Sequence, residues 1–440
     1  MTVSGGAKTI NDPVHGGIRV DGVFLDILNR HEMQRLRGVK QLGAANLVFP
    51  GANHTRFEHC LGTYYLAGKM AEALSLSKED SDAVRAAALM HDICHAPFSH
   101  TLEGIMEEAS GQDHMELAGN LIFGRVRTYR YRDEDLFAAE DPISDMLEDA
   151  GIDPQGVCDL ISSPHTTERE ENQTFFVDGT AEHFPSMDYL HQIIHGPVDA
   201  DQMDYLLRDA HYAGVVMGKI DINRILSTIR VFNDRMVIER GGAPAAEGLM
   251  VSRALMYTSV YYHQTVRVIN RMIVKAVESS NLDMSDMYLW DDSDLAQLLF
   301  DCGGTSSKMV RMLQNRMFYR KALSVLSTDT DDDLAAQLAK YASRKGKAEL
   351  ECRIADRAGI EESEVCVEMP SAASLLSEIK IGKTDVTILD NDGRARPLSR
   401  SSPIAKSLQS RNPFGWSVVV ACPPEYKDAV SKAASRILGV

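Results

Sequence analysis

Apolar residues along most of this chain recur three and four positions apart, the spacing of one helix face. Two short strand-like stretches come first, over 7–24, punctuated by the turn signals Asn11-Asp12-Pro13 and Gly16-Gly17. Phe24, Leu25, Ile27 and Leu28, then Met33, Leu36 and Val39, predict an amphipathic helix over 24–42. Pro50-Gly51-Ala52-Asn53 reads as a loop, followed by a helix from Arg56 to about Leu74 and another over roughly 80–95. The texture stays mostly helical from 100 to 230, interrupted at 125–141 by an acidic, Arg- and Tyr-rich stretch expected on the surface. Residues 231–239 predict a hairpin turning at Asn233-Asp234. A long helix is expected from about Gly248 to Ser279, and more helix over roughly 292–345. Strand-like runs at 365–368, 386–389 and 416–421, with a closing helix over 425–438, then predict a small α+β lobe. The expected class is mainly α, with a helical domain over 1–345 and a C-terminal lobe over 346–440.

Composition narrows the function more than the fold. At 440 residues, 44% apolar and 25% charged, the chain has the make-up of a globular protein with a large core. A formal charge of −17 argues against a nonspecific nucleic-acid binder, which needs a basic footprint. It leaves room for a small anionic ligand where arginines gather locally. The first six residues carry no charged-then-apolar signal, and no apolar run is long enough to span a bilayer. Seven scattered cysteines without a C-x-x-C suit reduced thiols, so a cytoplasmic location is expected.

The chemistry gathers in Leu89-Met90-His91-Asp92-Ile93-Cys94-His95-Ala96-Pro97-Phe98-Ser99-His100. His91 and Asp92 close a run of strong helix formers and offer one ion two different ligands. His95 lies one helical turn on, and Pro97 ends the helix. An isolated His-Asp pair is more often a satisfied core histidine beside a solvated aspartate. Here, however, six of the fourteen histidines fall between His54 and His114. One ion can take His59, His91 and Asp92, with a distant carboxylate from Asp199, Asp201 or Asp204, among which spacing alone does not choose. Two imidazoles and two carboxylates suit octahedral Mn²⁺, Fe²⁺ or Mg²⁺ better than a closed structural zinc site. Zn²⁺ and Ni²⁺ stay open as occupants of an isolated preparation. Such an ion lowers the pKa of bound water from 15.7 to about 7 in the best cases.

Seven motifs in one order then carry a resemblance. They are Asn-Asp-Pro-Val-His-Gly (11–16), Gln-Arg-Leu-Arg (34–37), Lys-Gln-Leu-Gly (40–43), Phe-Pro-Gly-Ala (49–52), Arg-Phe-Glu-His (56–59), the 91–100 stretch and Asp-Tyr-Leu-Leu-Arg-Asp (204–209). Over about residues 8–275 the chain resembles the HD-domain metal-dependent phosphohydrolases, whose ligand order is His…His-Asp…Asp. Among them it is most similar to the deoxynucleoside triphosphate triphosphohydrolases, including the type that pairs a SAM domain with the HD domain. The likeness does not extend to a SAM domain, and it is faint in the C-terminal lobe.

The resemblance implies an HD helical core and makes His59, His91, Asp92 and Asp201 the metal ligands. It makes Arg56 a phosphate contact and puts His95 and His100 beside the phosphates. His114 matches the histidine that protonates the leaving 5′ oxygen, and Glu103 stands where its aspartate partner would be. Gln41 and Leu42 match a pair that bonds the 3′-OH and crowds a 2′-OH. Asp209 matches a second 3′-OH partner, Tyr205 a residue near the sugar, Arg253 a phosphate-binding arginine and Tyr261 a ring near the base. The family's lysine after the last ligand is Gln202 here, and a histidine and a glutamine near the base are Tyr257 and Tyr262. Lys8, Asn29 and Arg37 match an activator-nucleotide site at a subunit interface, which implies a homo-oligomer, dimer or tetramer. His15, His31, His165, His183 and His263 read as ordinary polar or packing residues; His54, His191, His195 and His211 stay open.

The reaction implied is attack on the α-phosphorus of a dNTP by metal-held hydroxide, releasing deoxynucleoside and inorganic triphosphate. Two alternatives stand beside it. One is HD chemistry on another phosphoester, such as a nucleoside monophosphate or an alarmone. The other is a regulatory nucleotide-binding protein whose metal site is structural.

Overall fold

The computed structural model describes residues 6–130, 133–138, 140–162, 174–177, 180–183, 188–371, 386–409 and 415–440. His165 lies outside the described residues, and of His183 only the backbone is described. Strands Ala7–Asp12 and Gly16–Asp21 pair antiparallel, from Ala7 opposite Asp21 to Asp12 opposite Gly16. Asp12 Oδ1 closes their turn by accepting from the amides of Val14 (2.9 Å) and His15 (2.8 Å).

The expected 24–42 helix is three pieces: Gly22–Asn29, His31–Arg35 and a 3₁₀ turn, Leu36–Gly38. Arg30 is extended between the first two, so the chain bends while Ile27 and Leu28, then Met33 and Leu36, all reach the core. Helix Arg56–Leu74 begins where the Thr55 amide donates to Glu58 Oε2 at 2.6 Å, a capping contact that fixes its start. Helix Lys78–Met90, capped by Ser77, packs against it and buries Ala86, Ala87 and Leu89. Helix Ala200–Ala213 packs on the same partner, opened by an Asp199 cap and ended by Gly214 at φ 71°. These three helices hold the site.

The 125–141 stretch is not simply surface. Arg127 pairs with Asp286 at 2.9 Å, Arg130 with Asp294, and residues 126–130 are half-buried by these contacts. The hairpin is Ile229–Phe232 with Arg235–Glu239, and its Asn233 and Asp234 have φ 50° and 59°, as a two-residue type I′ turn requires. Its second strand pairs in parallel with Thr387–Leu389.

The long helix expected over 248–279 is broken. Ala243–Met256 runs into a π-turn, Tyr257–Tyr261, and the chain resumes as Gln264–Glu278. The Tyr262 amide reaches back to the Tyr257 carbonyl at 2.9 Å, an i→i+5 bond that inserts one residue and turns the tyrosines inward.

The helix expected over 292–345 is interrupted after residue 314 and resumes as Asp332–Ala339. After Asp292–Asp301 and Gly304–Gln314, Arg320–Leu326 is a strand. It pairs antiparallel with Trp416–Cys422, which pairs in turn with Cys366–Glu368. A separate core forms around Val325, Leu338, Ile354, Val367, Val418 and Val430. That lobe therefore gathers residues upstream of 345, while Ile388, Leu398 and Ala405 pack into the main core. Among the described residues, no helix is long and apolar enough to cross a membrane.

Candidate metal centre

Three chain segments deliver four ligand-type side chains to one point. His59 comes from the first turn of Arg56–Leu74, His91 and Asp92 from just past Met90, and Asp201 from the first turn of Ala200–Ala213. His59 Nε2 lies 2.8 Å from Asp201 Oδ1 and 3.8 Å from Asp92 Oδ2. His91 Nε2 lies 3.7 Å from Asp201 Oδ1 and 3.5 Å from Asp92 Oδ2. Two imidazole nitrogens and two carboxylate oxygens thus converge within about one ion's coordination sphere. Asp201, its side chain 34% exposed, is the most open of the four.

Both imidazoles are held with the same nitrogen inward. His91 Nδ1 donates to the Ala88 carbonyl at 2.9 Å, which leaves its Nε2 lone pair on the cluster, buried and without a protein partner. His59 Nδ1 donates to Asp204 Oδ2 at 2.7 Å. Asp204 is itself fully buried, bonded to His15 Nε2 at 2.7 Å and to both Nε and Nη2 of Arg208 at 2.9 Å. Arg208 also donates to Asp12 Oδ2 at 2.7 Å, tying the N-terminal hairpin to the site. A carboxylate behind a ligating histidine fixes its ring and raises its basicity. Asp204 has that place, and Asp199 is the helix cap, accepting from the Gln202 amide at 2.6 Å.

The electrostatics fit a cation. Burial works against charge on His59, but Asp201 and Asp204 outweigh it and raise its pKa to about 10. Burial likewise opposes the Asp92 carboxylate, yet Arg56, His91 and His59 hold it well below the usual range. The orphaned His91 nitrogen, the mixed N/O donor set and this concentration of negative charge suit a divalent ion.

Most of the remaining expected residues line a cavity of about 580 Å³ that the cluster opens into, with Glu103 behind His100 and His114 rather than in the lining. Arg56, 2% exposed, pairs through Nη1 with Asp92, donates Nε to Ser99 Oγ at 3.0 Å, and keeps a buried Nη2 without a partner. His95 does not continue the helical face of His91, because the regular helix ends at Met90. Its ring stands instead with His114 and His100, centroids 4.9 and 4.8 Å away. Burial and the nearby Arg56 hold the His95 pKa well below its ordinary value, so it is neutral. His114 Nδ1 is 2.5 Å and His100 Nδ1 2.9 Å from the two oxygens of Glu103. Burial opposes the Glu103 charge, but its bonds to both histidines hold it well below the carboxylate range.

Gln41 and Leu42 line the cavity, and Gln41 Oε1 is buried without a partner. Asp209 accepts from Tyr261 Oη at 2.7 Å and bonds His54 Nε2 at 2.7 Å, so His54 is a supporting residue. Tyr205, Tyr257, Tyr261 and Tyr262 form a wall, with Tyr257 and Tyr261 centroids 5.1 Å apart, edge to face. Arg253 lies in this lining with its Nε buried and unpartnered, and is not a surface residue. Gln202 bonds the Gly196 carbonyl and Asp199 through Nε2, at 2.9 and 3.0 Å.

Sequence reasoning missed His15, treated as an ordinary packing residue, and Arg267 and Asn270, which also line the cavity. The last two sit three apart on the helix after the tyrosines, a spacing that puts both on one face. His195 is on the wall and bonds the Ile161 carbonyl, His191 bonds the Ser162 carbonyl, and His211 is exposed. Arg37 lies over the Phe57 ring and lines a second cavity of about 420 Å³, whose lining does not include Lys8 or Asn29.

Residues 56–209 match the HD domain and residues 220–440 the HD associated region. A protein of Methanocaldococcus jannaschii is 31% identical over 95% of this chain and 80% of its own length. The chain belongs to the HD-domain phosphohydrolases. As an HD protein it is a metal-binding hydrolase, and among the described residues His59, His91 and Asp201 form a group whose ligand atoms lie close enough together to hold an ion, with Asp92 beside them. It resembles the deoxynucleoside triphosphate triphosphohydrolase SAMHD1 homolog of Dictyostelium discoideum, at 28% identity over 76% of this chain. The chain spans 64% of that relative's length. A solved structure of a hypothetical protein from Aquifex aeolicus shares the HD fold, with a TM-score of 0.69 over 97% of this chain and all of that one, at 24% identity.

Proposed function

We propose that this HD phosphohydrolase acts on deoxynucleoside triphosphates, releasing the deoxynucleoside and inorganic triphosphate. One observation carries the reading. A single cavity of about 580 Å³ joins the His59–His91–Asp92–Asp201 cluster, Arg56 and Arg253 to Gln41, Leu42, Asp209 and a wall of tyrosines. Phosphate, sugar and base each have suitable partners within that space.

His59, His91, Asp92 and Asp201 would hold a divalent ion, which would supply Lewis acidity and a nucleophilic water near neutral pH. Arg56 and Arg253 hold the phosphoryl oxygens and balance the charge that grows on them during attack. Arg56 can do both tasks because its Nη1 is spent on Asp92 while Nη2 stays unpartnered. His95, neutral, can donate one hydrogen bond to a phosphoryl oxygen. His114 gives its proton to the leaving 5′ oxygen, with Glu103 on Nδ1 fixing the ring so that Nε2 faces the substrate. Glu103 is one methylene longer than an aspartate and spans His114 and His100 together. Leu42 packs where a 2′-OH would stand, and Gln41 and Asp209 take the 3′-OH.

Incubating each dNTP with the Mn²⁺-loaded chain and resolving the products by ion chromatography tests this directly. Tripolyphosphate is the expected product; pyrophosphate with a deoxynucleoside monophosphate rejects attack at the α-phosphorus.

Gln202 favours a second reading. A neutral amide, tied to Asp199 and the Gly196 carbonyl, stands in the phosphate path and adds no positive charge. A substrate with fewer phosphates, such as a nucleoside monophosphate, demands less of that path. A phosphoester panel with the same metal separates the two readings by relative kcat/KM.

A further inference from the structure

The tyrosine wall ends at Tyr262, and the chain restarts as the helix Gln264–Glu278. Between them His263 is extended, at ψ 123°, and makes no side-chain capping bond to the new helix. The joint is held instead from the C-terminal lobe, where every strand of the three-stranded sheet sends a side chain to residues 262–267. From Trp416–Cys422, Trp416 Nε1 donates to the Tyr262 carbonyl at 3.1 Å. From Arg320–Leu326, Lys321 Nζ donates to Gln264 Oε1 at 2.9 Å, and Ser324 Oγ accepts from Gln264 Nε2 at 3.3 Å. From Cys366–Glu368, Glu368 Oε1 accepts from Arg267 Nη2 at 2.7 Å and from Lys347 Nζ at 3.1 Å. Tyr262 and Arg267 line the cavity; Trp416, Gln264 and Glu368 stand outside its lining.

We infer that the C-terminal lobe braces the nucleoside end of the cavity, with Trp416 and Glu368 as positioning residues that act through Tyr262 and Arg267. The inference rests on the nucleotide reading given above. The two ends of the cavity are supported differently. At the metal end, Lys78–Met90 and Ala200–Ala213 pack directly on Arg56–Leu74. At the tyrosine end the helical hydrogen-bond ladder is interrupted by the π-turn, and the contacts from the lobe fall at that interruption. The Tyr262 carbonyl is one of those a helix end leaves without an intrahelical partner, and Trp416 supplies its donor. Glu368, buried and bonded to two cations, fixes the Arg267 side chain against the lobe. Loosening the joint therefore shifts the wall a nucleoside packs against, while the metal ligands keep their places. The consequence is weaker binding with intact chemistry, a rise in KM at constant kcat. A lobe that served stability alone would give the opposite pattern, less folded enzyme and so a lower apparent kcat at an unchanged KM.

The test is steady-state hydrolysis of dNTPs by the full-length metal-loaded chain. Trp416→Phe keeps an aromatic ring and removes the N–H; it is expected to raise KM about fivefold or more, with kcat within about twofold. Glu368→Ala, which frees Arg267, is expected to do the same. Gln264→Ala is the second variant, because it cuts both contacts from Arg320–Leu326 at a half-buried position and empties no core; it is expected to raise KM about threefold. Val430→Ala, in the apolar core of the lobe, is the control, expected to lower the unfolding midpoint and leave KM within about twofold. An unchanged KM in Trp416→Phe and Gln264→Ala, or a rise in Val430→Ala as large as theirs, overturns the brace while the nucleotide reading stands. Absence of turnover of every dNTP by the parent chain overturns both.

Discussion

Asp204 Oδ2 lies 2.7 Å from His59 Nδ1, and through that one contact an arginine, a second histidine and the N-terminal hairpin all bear on the cluster. A carboxylate behind a ligating imidazole typically accounts for 10–100-fold in metal affinity. Asp204→Asn keeps the shape and one acceptor but loses the charge, so Mn²⁺ affinity should fall by about that factor, read by competition with a chromophoric chelator. Arg208 would then stand buried with half its compensation gone, and the unfolding free energy should drop by about 3–5 kcal/mol. Unchanged metal affinity in a folded Asp204→Asn protein removes Asp204 from the support of the site.

The close approach of Ala200–Ala213 to Arg56–Leu74 depends on Gly62. A Cβ there would collide with the Asp204 carboxylate and the Arg208 guanidinium, neither of which can swing away, since each is pinned by several bonds. Mid-helix Gly→Ala normally stabilises by about 1 kcal/mol. Gly62→Ala should do the opposite, lowering the melting temperature and weakening metal binding together. Gly104→Ala, where a Cβ meets nothing, is the control.

Removing the ion, or the carboxylate that faces the cavity, should silence the reaction without unfolding the chain. Dialysis against a chelator and Asp201→Ala are each expected to reduce phosphoester hydrolysis at least about a thousandfold, given how much a metal contributes to such chemistry. Elemental analysis should show the ion lost from the variant, with near-native circular dichroism. Full activity in a preparation shown to be metal-free would end the metal-dependent account.

His114 and Glu103 form the proton-delivery pair in the proposed reaction. General acid catalysis contributes about 10²–10⁴-fold, so His114→Asn should lower kcat in that range while KM moves little. Glu103→Gln keeps a hydrogen-bond acceptor for the His114 ring and should cost less. A substrate with a good leaving group, such as p-nitrophenol, needs no protonation and should largely restore turnover in His114→Asn. Absence of that rescue would assign His114 to binding.

Much of the site could be read from the chain because its chemistry is local. His91 and Asp92 are adjacent, His59 opens a capped helix, and each falls at a helix end that residue preferences predict. Asp201 could not be chosen over Asp199 and Asp204 from spacing alone, because three acids within one and a half helical turns differ only in direction. The fold sorts them: Asp199 caps the helix, Asp201 faces the cluster and Asp204 faces Arg208. The broken helix at Tyr257–Tyr261 was illegible for a related reason, since its apolar periodicity tolerates one inserted residue. Arg320–Leu326 was misread as helix because its pairing partner, Trp416–Cys422, lies some ninety residues away and local preference is neutral. The buried charges that join lobe to body, Arg267 and Arg271 with Glu368 and Glu351, had no sequence signal, being polar residues on an ordinary amphipathic helix.

Those charges make the joint between lobe and body sensitive to acid. Arg271 grips Glu351 with two bonds of 2.8 Å, Lys275 joins the same carboxylate at 2.8 Å, and Arg267 reaches Glu368 at 2.7 Å. Burial opposes the Glu368 charge, but Arg267 and Lys347 outweigh it and hold its pKa below the ordinary value of 4.5. A carboxylate with a depressed folded pKa contributes stability that is complete above its unfolded pKa and disappears as pH falls through the folded one. Glu368→Gln should therefore be less stable than the parent at pH 7, by about 1–3 kcal/mol. The gap should hold down to about pH 5 and close below the ordinary glutamate range, as the parent carboxylate takes up its proton. Paired urea unfolding curves at pH 7, 5, 4 and 3 give the difference directly, with the other acids cancelling between parent and variant. A gap independent of pH would show that Glu368 acts through its shape, and the joint would owe nothing to its charge.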